Sequence, residues 1–231
     1  LLRSDRAHCH STVALSWTPY AEQNGSIAHW GTMHAMTSGY PDMTQWHRRL
    51  CPVTDGIIIS GDLSEDPDQA VQQLKRWEQA GITHVLDTRV EWSDEELVAE
   101  HAPDIVYGWI GTDDDGDTKP DEWFDAGLAF SSDALSDPDA VVLVHCHMGI
   151  NRGPSMAYRI LLESGRDPIE ALDAIRNARP IADVGYAEDA LNHYHRSHAT
   201  PAEHRTSDQD RLVAWRHGYH MPLLRLHRTP D

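Results

Sequence analysis

From position 145 the chain reads His145-Cys146-His147-Met148-Gly149-Ile150-Asn151-Arg152-Gly153-Pro154-Ser155. Five residues separate a soft nucleophile, Cys146, from a planar cation, Arg152. An apolar, β-branched run over 140–144 comes just before, which suits a central strand covered on both faces. After it, Ser155, Met156, Ala157, Ile160, Leu161 and Leu162 repeat with helical spacing, and Gly165 is placed to stop that helix. The loop between strand and helix therefore sits at a helix N-terminus, where free N–H groups and the helix dipole favour negative charge. Gly149 lets the backbone curl so that successive N–H groups turn inward. Arg152 can fold back as a bidentate fork for two oxyanion oxygens. A cysteine in that positive field is expected to act as a thiolate nucleophile.

The segment resembles the signature loop of cysteine-dependent protein phosphatases, His-Cys-(any five)-Arg, and the order of elements around it is most similar to the dual-specificity type. The resemblance covers about residues 56–198. It implies that Cys146 attacks phosphorus and that Arg152 clamps the phosphoryl oxygens. The loop interior, His147, Met148, Gly149, Ile150 and Asn151, would line the phosphate site. His145 would help to hold the thiolate. One position departs from the pattern. The residue after the arginine is usually Ser or Thr, whose hydroxyl helps the sulfur leave in the second step; here it is Gly153, with Ser155 nearby.

The resemblance also implies an upstream aspartic acid that protonates the leaving oxygen. Asp113, Asp114, Asp115 and Asp117 follow a strand expected over 105–110. Family members often place the acid four residues after a strand-ending isoleucine. Counted from Ile110 this selects Asp114, 32 residues before Cys146, with Asp113 and Asp115 as close rivals. Asp113-x-Asp115-x-Asp117 also opens like a calcium loop, but the position that would carry the closing glutamate is Phe124.

The elements needed to hold these residues can be read around them. A strand over 57–59 is followed by a helix with Asp66 as N-cap and Pro67 as its first residue, and Gly81 ends that helix. Strands are expected over 82–86 and 105–110, with Ser93 and Glu96 as a capping box between them. Further helices are expected over 120–132, 168–177 and 185–196, and a last one near 207–217. Alternating strands and helices give an α/β fold: three layers, with a mostly parallel central sheet and helices on both faces, like a dual-specificity phosphatase. Three parts follow: 1–55 as an irregular or wrapping extension, 56–198 as the phosphatase domain, and 199–231 as an extension with a docking helix.

Composition limits the partners. Residues 56–145 hold 22 acidic against 4 basic side chains, which accounts for the whole formal charge of −18. Such a surface repels nucleic acid and anionic membranes. No apolar stretch approaches the roughly eighteen residues that span a bilayer, and Leu1-Leu2-Arg3-Ser4-Asp5-Arg6 opens no secretory signal. Cys9, Cys51 and Cys146 are odd in number and far apart, so a reducing, cytoplasmic setting is expected. The 16 histidines include His193-x-His195-x-x-His198, where His193 and His195 point to different sides of a helix, and His8-Cys9-His10, which lies in the irregular arm, so a metal site is expected at neither. No metal and no cofactor are expected, and the partner is a phosphorylated protein or small phosphomonoester. Two other uses of such a loop stay open: capture of phosphopeptides without turnover, and sulfur or arsenate chemistry at the same cysteine.

Overall fold

In a computed structural model of the chain the described residues are 43–218. The His8-Cys9-His10 cluster and most of the segment read as an N-terminal extension lie outside them.

The sheet has five strands: β1 (Cys51–Pro52), β2 (Ile57–Ser60), β3 (His84–Arg89), β4 (Val106–Thr112) and β5 (Val142–His145). Their order is β1-β2-β5-β3-β4. Every pairing is parallel except β1 with β2. The strand that feeds the signature loop is therefore the middle one, with Val144 level with Ile59 on one side and Leu86 on the other. This is the layered α/β arrangement expected above.

Seven α-helices accompany the sheet among the described residues: α1 (Pro67–Gln79), α2 (Glu95–His101), α3 (Asp121–Ala134), α4 (Arg152–Glu163), α5 (Pro168–Ala178), α6 (Ala187–Ser197) and α7 (Ala202–Gly218). Strand side chains alternate between the faces. Ile57, Ile59, Leu86, Val142 and Val144 enter the core with Phe124 of α3, Met156 and Leu161 of α4, and Leu172 of α5. On the other face His145 meets the ring of Trp77 from α1, with centroids 5.8 Å apart. Each large side chain buried this way contributes about 1.5–3 kcal/mol.

The boundaries differ from the sequence reading in instructive places. The sheet begins at Cys51, inside the segment read as an extension, and Gly61 N–H donates to His47 O at 2.7 Å. β3 runs on through Asp87-Thr88-Arg89, all fully buried. That stretch lies beyond the strand expected over 82–86. It stays inside because Arg89 pairs with Asp87 and Asp94, each at 2.5 Å, and Tyr107 Oη donates to Asp87 at 2.5 Å. The same network explains why the expected capping box fails. Asp94 occupies the N-cap of α2 but turns its carboxylate to Arg89, and Ser93 Oγ accepts from Glu95 N–H at 3.1 Å. The N-cap of α1 matches the reading: Asp66 accepts from Gln69 N–H at 3.1 Å and Pro67 opens the helix. α7 is longer than expected. It docks through buried Leu212, and Trp215 Nε1 donates to Asp173 at 2.8 Å.

Candidate active site

β5 delivers Cys146 to the C-terminal edge of the sheet, and α4 starts at Arg152. Both side chains are 2% exposed. Between them the carbonyls of His147, Met148, Gly149 and Ile150 are all tied to residues outside the loop, and that of Asn151 to Ser155 N–H in α4. His147 O accepts from Asp62 N–H at 3.2 Å, and Ile150 O from Asp183 N–H at 2.8 Å. Met148 O and Gly149 O both accept from the buried guanidinium of Arg179, at 2.8 and 2.5 Å. Among the described residues no hydrogen bond leaves the N–H groups of His147 to Asn151. Carbonyls out and amides free is the geometry of an anion-binding nest.

Gly149 makes that curl possible. Its φ is +60°, and a Cβ there would run into the Ser60 carbonyl and the Arg179 guanidinium. Gly149→Ala is therefore expected to lower the melting temperature and remove phosphate binding. Positive φ costs about 1–3 kcal/mol for such a residue before any clash. A Gly149→Ala protein with unchanged melting temperature and phosphate affinity would show that the loop does not need this backbone.

Arg152 is held from outside the loop. Nη1 donates to Glu91 Oε2 and Nη2 to Glu91 Oε1, both at 2.8 Å, and Nη1 also donates to Thr112 O at 2.9 Å. Nε makes no hydrogen bond and lies 3.6 Å from Asp114 Oδ2. An incoming oxyanion thus still has Nε–H and a second Nη2–H to meet. Burial works against the charge on Arg152. The Glu91 hydrogen bonds and the negative field of Cys146, Glu91 and Asp114 outweigh it, so the guanidinium is held more firmly charged. In return the Arg152 hydrogen bonds keep the Glu91 carboxyl below the usual carboxylate range.

The structure separates the three acidic candidates. Asp114 reaches the signature loop: its Oδ1 accepts from Asn151 Nδ2 at 2.6 Å and from Tyr186 Oη at 2.7 Å. Asp115 turns to Lys119 Nζ at 2.5 Å, and the Asp113 carbonyl accepts from the same ammonium at 2.9 Å.

The other sequence candidates fall into different places. His145 is fully buried on the α1 face, its Nε2 3.8 Å from Asp87 Oδ2, and no hydrogen bond joins its ring to Cys146. Burial pushes its pKa down against the pull of Asp87. His147 is half exposed and pairs with buried Asp62 at 2.6 Å. The Asn151 side chain is spent on Asp114 and on Gly185 N–H, at 2.5 Å. Gly153 packs on the loop base: a Cβ would sit 3.1 Å from His145 C and 3.2 Å from Cys146 N. A side chain at 153 would therefore enter against the backbone of His145 and Cys146. Ser155 Oγ accepts from Tyr186 N–H at 3.1 Å, which fixes the hydroxyl on the α6 side of the loop.

Glu91, Arg179, Tyr186 and Asp62 were not legible as site residues. Each lies in a polar loop or at the end of an element with no periodic signal, and only the fold brings them to the loop. Among the described residues no three His, Cys, Asp or Glu side chains form a set able to hold a metal ion. No helix among them is long and apolar enough to cross a membrane.

No family model matches the chain. Solved structures do. Human DUSP28 aligns with a TM-score of 0.53 and 16% identity over 64% of this chain and 95% of its own. PTPMT1, solved in complex with PI(5)P, aligns at 0.53 and 15% over 65% and 97%. Tk-PTP in its active form aligns at 0.51 and 17% over 65% and 98%. The chain has the dual-specificity phosphatase fold, and about two thirds of it covers nearly the whole of each of these proteins.

Proposed function

We propose that this chain, built on the dual-specificity phosphatase fold, is a metal-independent phosphomonoester hydrolase acting on phosphorylated protein through a phosphocysteine. The observation that carries this is the loop itself: Cys146 opens a loop whose carbonyls from His147 to Ile150 are all bonded to groups outside it, with Arg152 oriented by Glu91. In the first step Cys146 sulfur bonds to phosphorus in line as the ester P–O bond breaks. Asp114 gives its proton to the departing oxygen. In the second, water attacks phosphorus, the S–P bond breaks to return the thiolate, and Asp114 takes the water proton. Arg152 and the loop amides hold the three equatorial oxygens, which supplies the charge stabilisation that a metal would otherwise give. Hydrolysis of a fluorogenic aryl phosphate in the presence of EDTA tests the reading. Sustained turnover supports it; tight phosphate binding without turnover would make the chain a phosphopeptide-capture module.

The rim favours some substrates over others. Glu91 and Asp183, which bond to Arg152 and to the Ile150 carbonyl, are exposed, as are Asp113, Asp115 and Asp117 on the segment that carries Asp114. We expect a phosphotyrosine peptide flanked by lysines to be hydrolysed faster than one flanked by glutamates, with the difference shrinking as salt rises. A preference for the glutamate peptide at low salt would contradict this.

Gly153 bears on the second step. Without a hydroxyl donor the departing sulfur loses a hydrogen bond to developing charge, worth roughly 1.5–3 kcal/mol, or about one to two orders of magnitude in rate. Rapid mixing with an aryl phosphate should give a burst of phenol and then slow turnover. Gly153→Ser should shrink the burst and raise the steady rate, provided the loop base gives by a few tenths of an ångström. A linear time course that this substitution leaves unchanged would reject the idea.

A further inference from the structure

Asp114 is braced by side chains from two other segments of the chain. Its Oδ1 accepts two hydrogen bonds, from Asn151 Nδ2 at 2.6 Å and Tyr186 Oη at 2.7 Å. The brace has depth. Tyr186 is 3% exposed, and its hydroxyl oxygen also accepts from Gly116 N–H at 3.2 Å, two residues beyond the acid. Lys119 Nζ stands 4.5 Å over the Tyr186 ring and ties down Asp113 O and Asp115 from beneath. The other donor is anchored as well. Asn151 Oδ1 accepts from Gly185 N–H at 2.5 Å, and any Cβ at Gly185 would collide with the Asn151 amide. Two neighbouring residues of the α5–α6 loop, Gly185 and Tyr186, thus fix the acid, one through Asn151 and one directly.

We propose that Tyr186 and Asn151 are positioning residues for the general acid: together they hold the Asp114 loop over the nest and reserve Oδ2 for the transferable proton. This rests on the phosphatase reading above. The chemistry follows from the acceptor count. A carboxyl oxygen that accepts two strong hydrogen bonds has both lone pairs in use, so a proton placed on Oδ1 would break one of them. Oδ2 accepts no hydrogen bond and lies on the Arg152 side of the carboxyl group, 3.6 Å from Nε. The oxygen that carries the proton is therefore the one nearer the phosphoryl clamp. Holding the loop in place before substrate arrives removes the entropy cost of ordering it during the reaction.

The test is a leaving-group series. kcat/KM is measured for aryl phosphates from phenyl phosphate to esters of strongly acidic phenols, in the wild type, Tyr186→Phe, Asn151→Ser and Asp114→Asn. Tyr186→Phe keeps the ring under Lys119 and loses only the hydroxyl. It is expected to slow phenyl phosphate about tenfold, the size of one lost charge-assisted hydrogen bond, and to leave the most acidic ester within about threefold. Asn151→Ser should show the same steepened dependence, and Tyr186→Phe added to Asp114→Asn should cost nothing further. If Asp114→Asn gives the steep pattern while Tyr186→Phe and Asn151→Ser slow every ester equally, the brace is only structural and the proposal fails while the phosphatase reading stands. If Asp114→Asn also lacks the pattern, Asp114 is not the acid and both fail.

Discussion

Cys146→Ser is expected to lower aryl phosphate turnover by more than about a thousandfold, since an unactivated hydroxyl cannot replace the thiolate as nucleophile. Binding of phosphate or vanadate should survive. The nest does not depend on the sulfur: its shape comes from the outward bonds of Arg179, Asp62 and Asp183 to the loop carbonyls. Arg152→Lys should be crippled for a different reason. A lysine cannot span both oxygens of Glu91 and still offer two N–H groups to phosphate, so both orientation and charge placement go, at a cost of about a hundredfold or more. Turnover in the Cys146→Ser protein would end the covalent mechanism. Full activity in Arg152→Lys would end the clamp.

Asp114→Asn should slow phenyl phosphate by about 10²–10⁴-fold, the usual contribution of a placed general acid. Esters of acidic phenols should be slowed much less, because their leaving oxygen departs without a proton. Asp115→Asn should not show this dependence, since the Asp115 carboxylate serves Lys119 rather than the loop; nor should Asp113→Asn, since among the described residues no hydrogen bond or ion pair joins the Asp113 carboxylate to the signature loop. If Asp115→Asn carried the leaving-group pattern and Asp114→Asn did not, the assignment would be wrong by one position.

The parts of this site that sequence could reveal are those that local physics fixes. A β-branched run, a glycine that must take positive φ, and helical spacing after Arg152 place the loop at the end of the central strand before any fold is known. α1 was equally legible, because Asp66 and Pro67 act on their own helix. What could not be read are residues whose partners lie far away in sequence. Asp87-Thr88-Arg89 lies past the strand expected over 82–86 and is buried strand, because Asp94 and Tyr107 complete its charges. Glu91 is one acid among many until Arg152, 61 residues on, reaches it. Arg179 ends α5 like any helix-terminal arginine, and only the fold turns it onto Met148 and Gly149. The strands expected over 82–86 and 105–110 lie in the right places and run on to Arg89 and Thr112.

The central claim is a covalent bond between Cys146 sulfur and phosphorus during turnover. The direct measurement is an acid-quenched reaction with a radiolabelled aryl phosphate, sampled from milliseconds to seconds, followed by peptide mapping. The account predicts phosphate on the peptide containing Cys146, forming as phenol is released, lost on chase with unlabelled substrate, and missing from Cys146→Ser. Turnover of the wild-type protein with no label on Cys146 at any time, or with label on another residue, would contradict it.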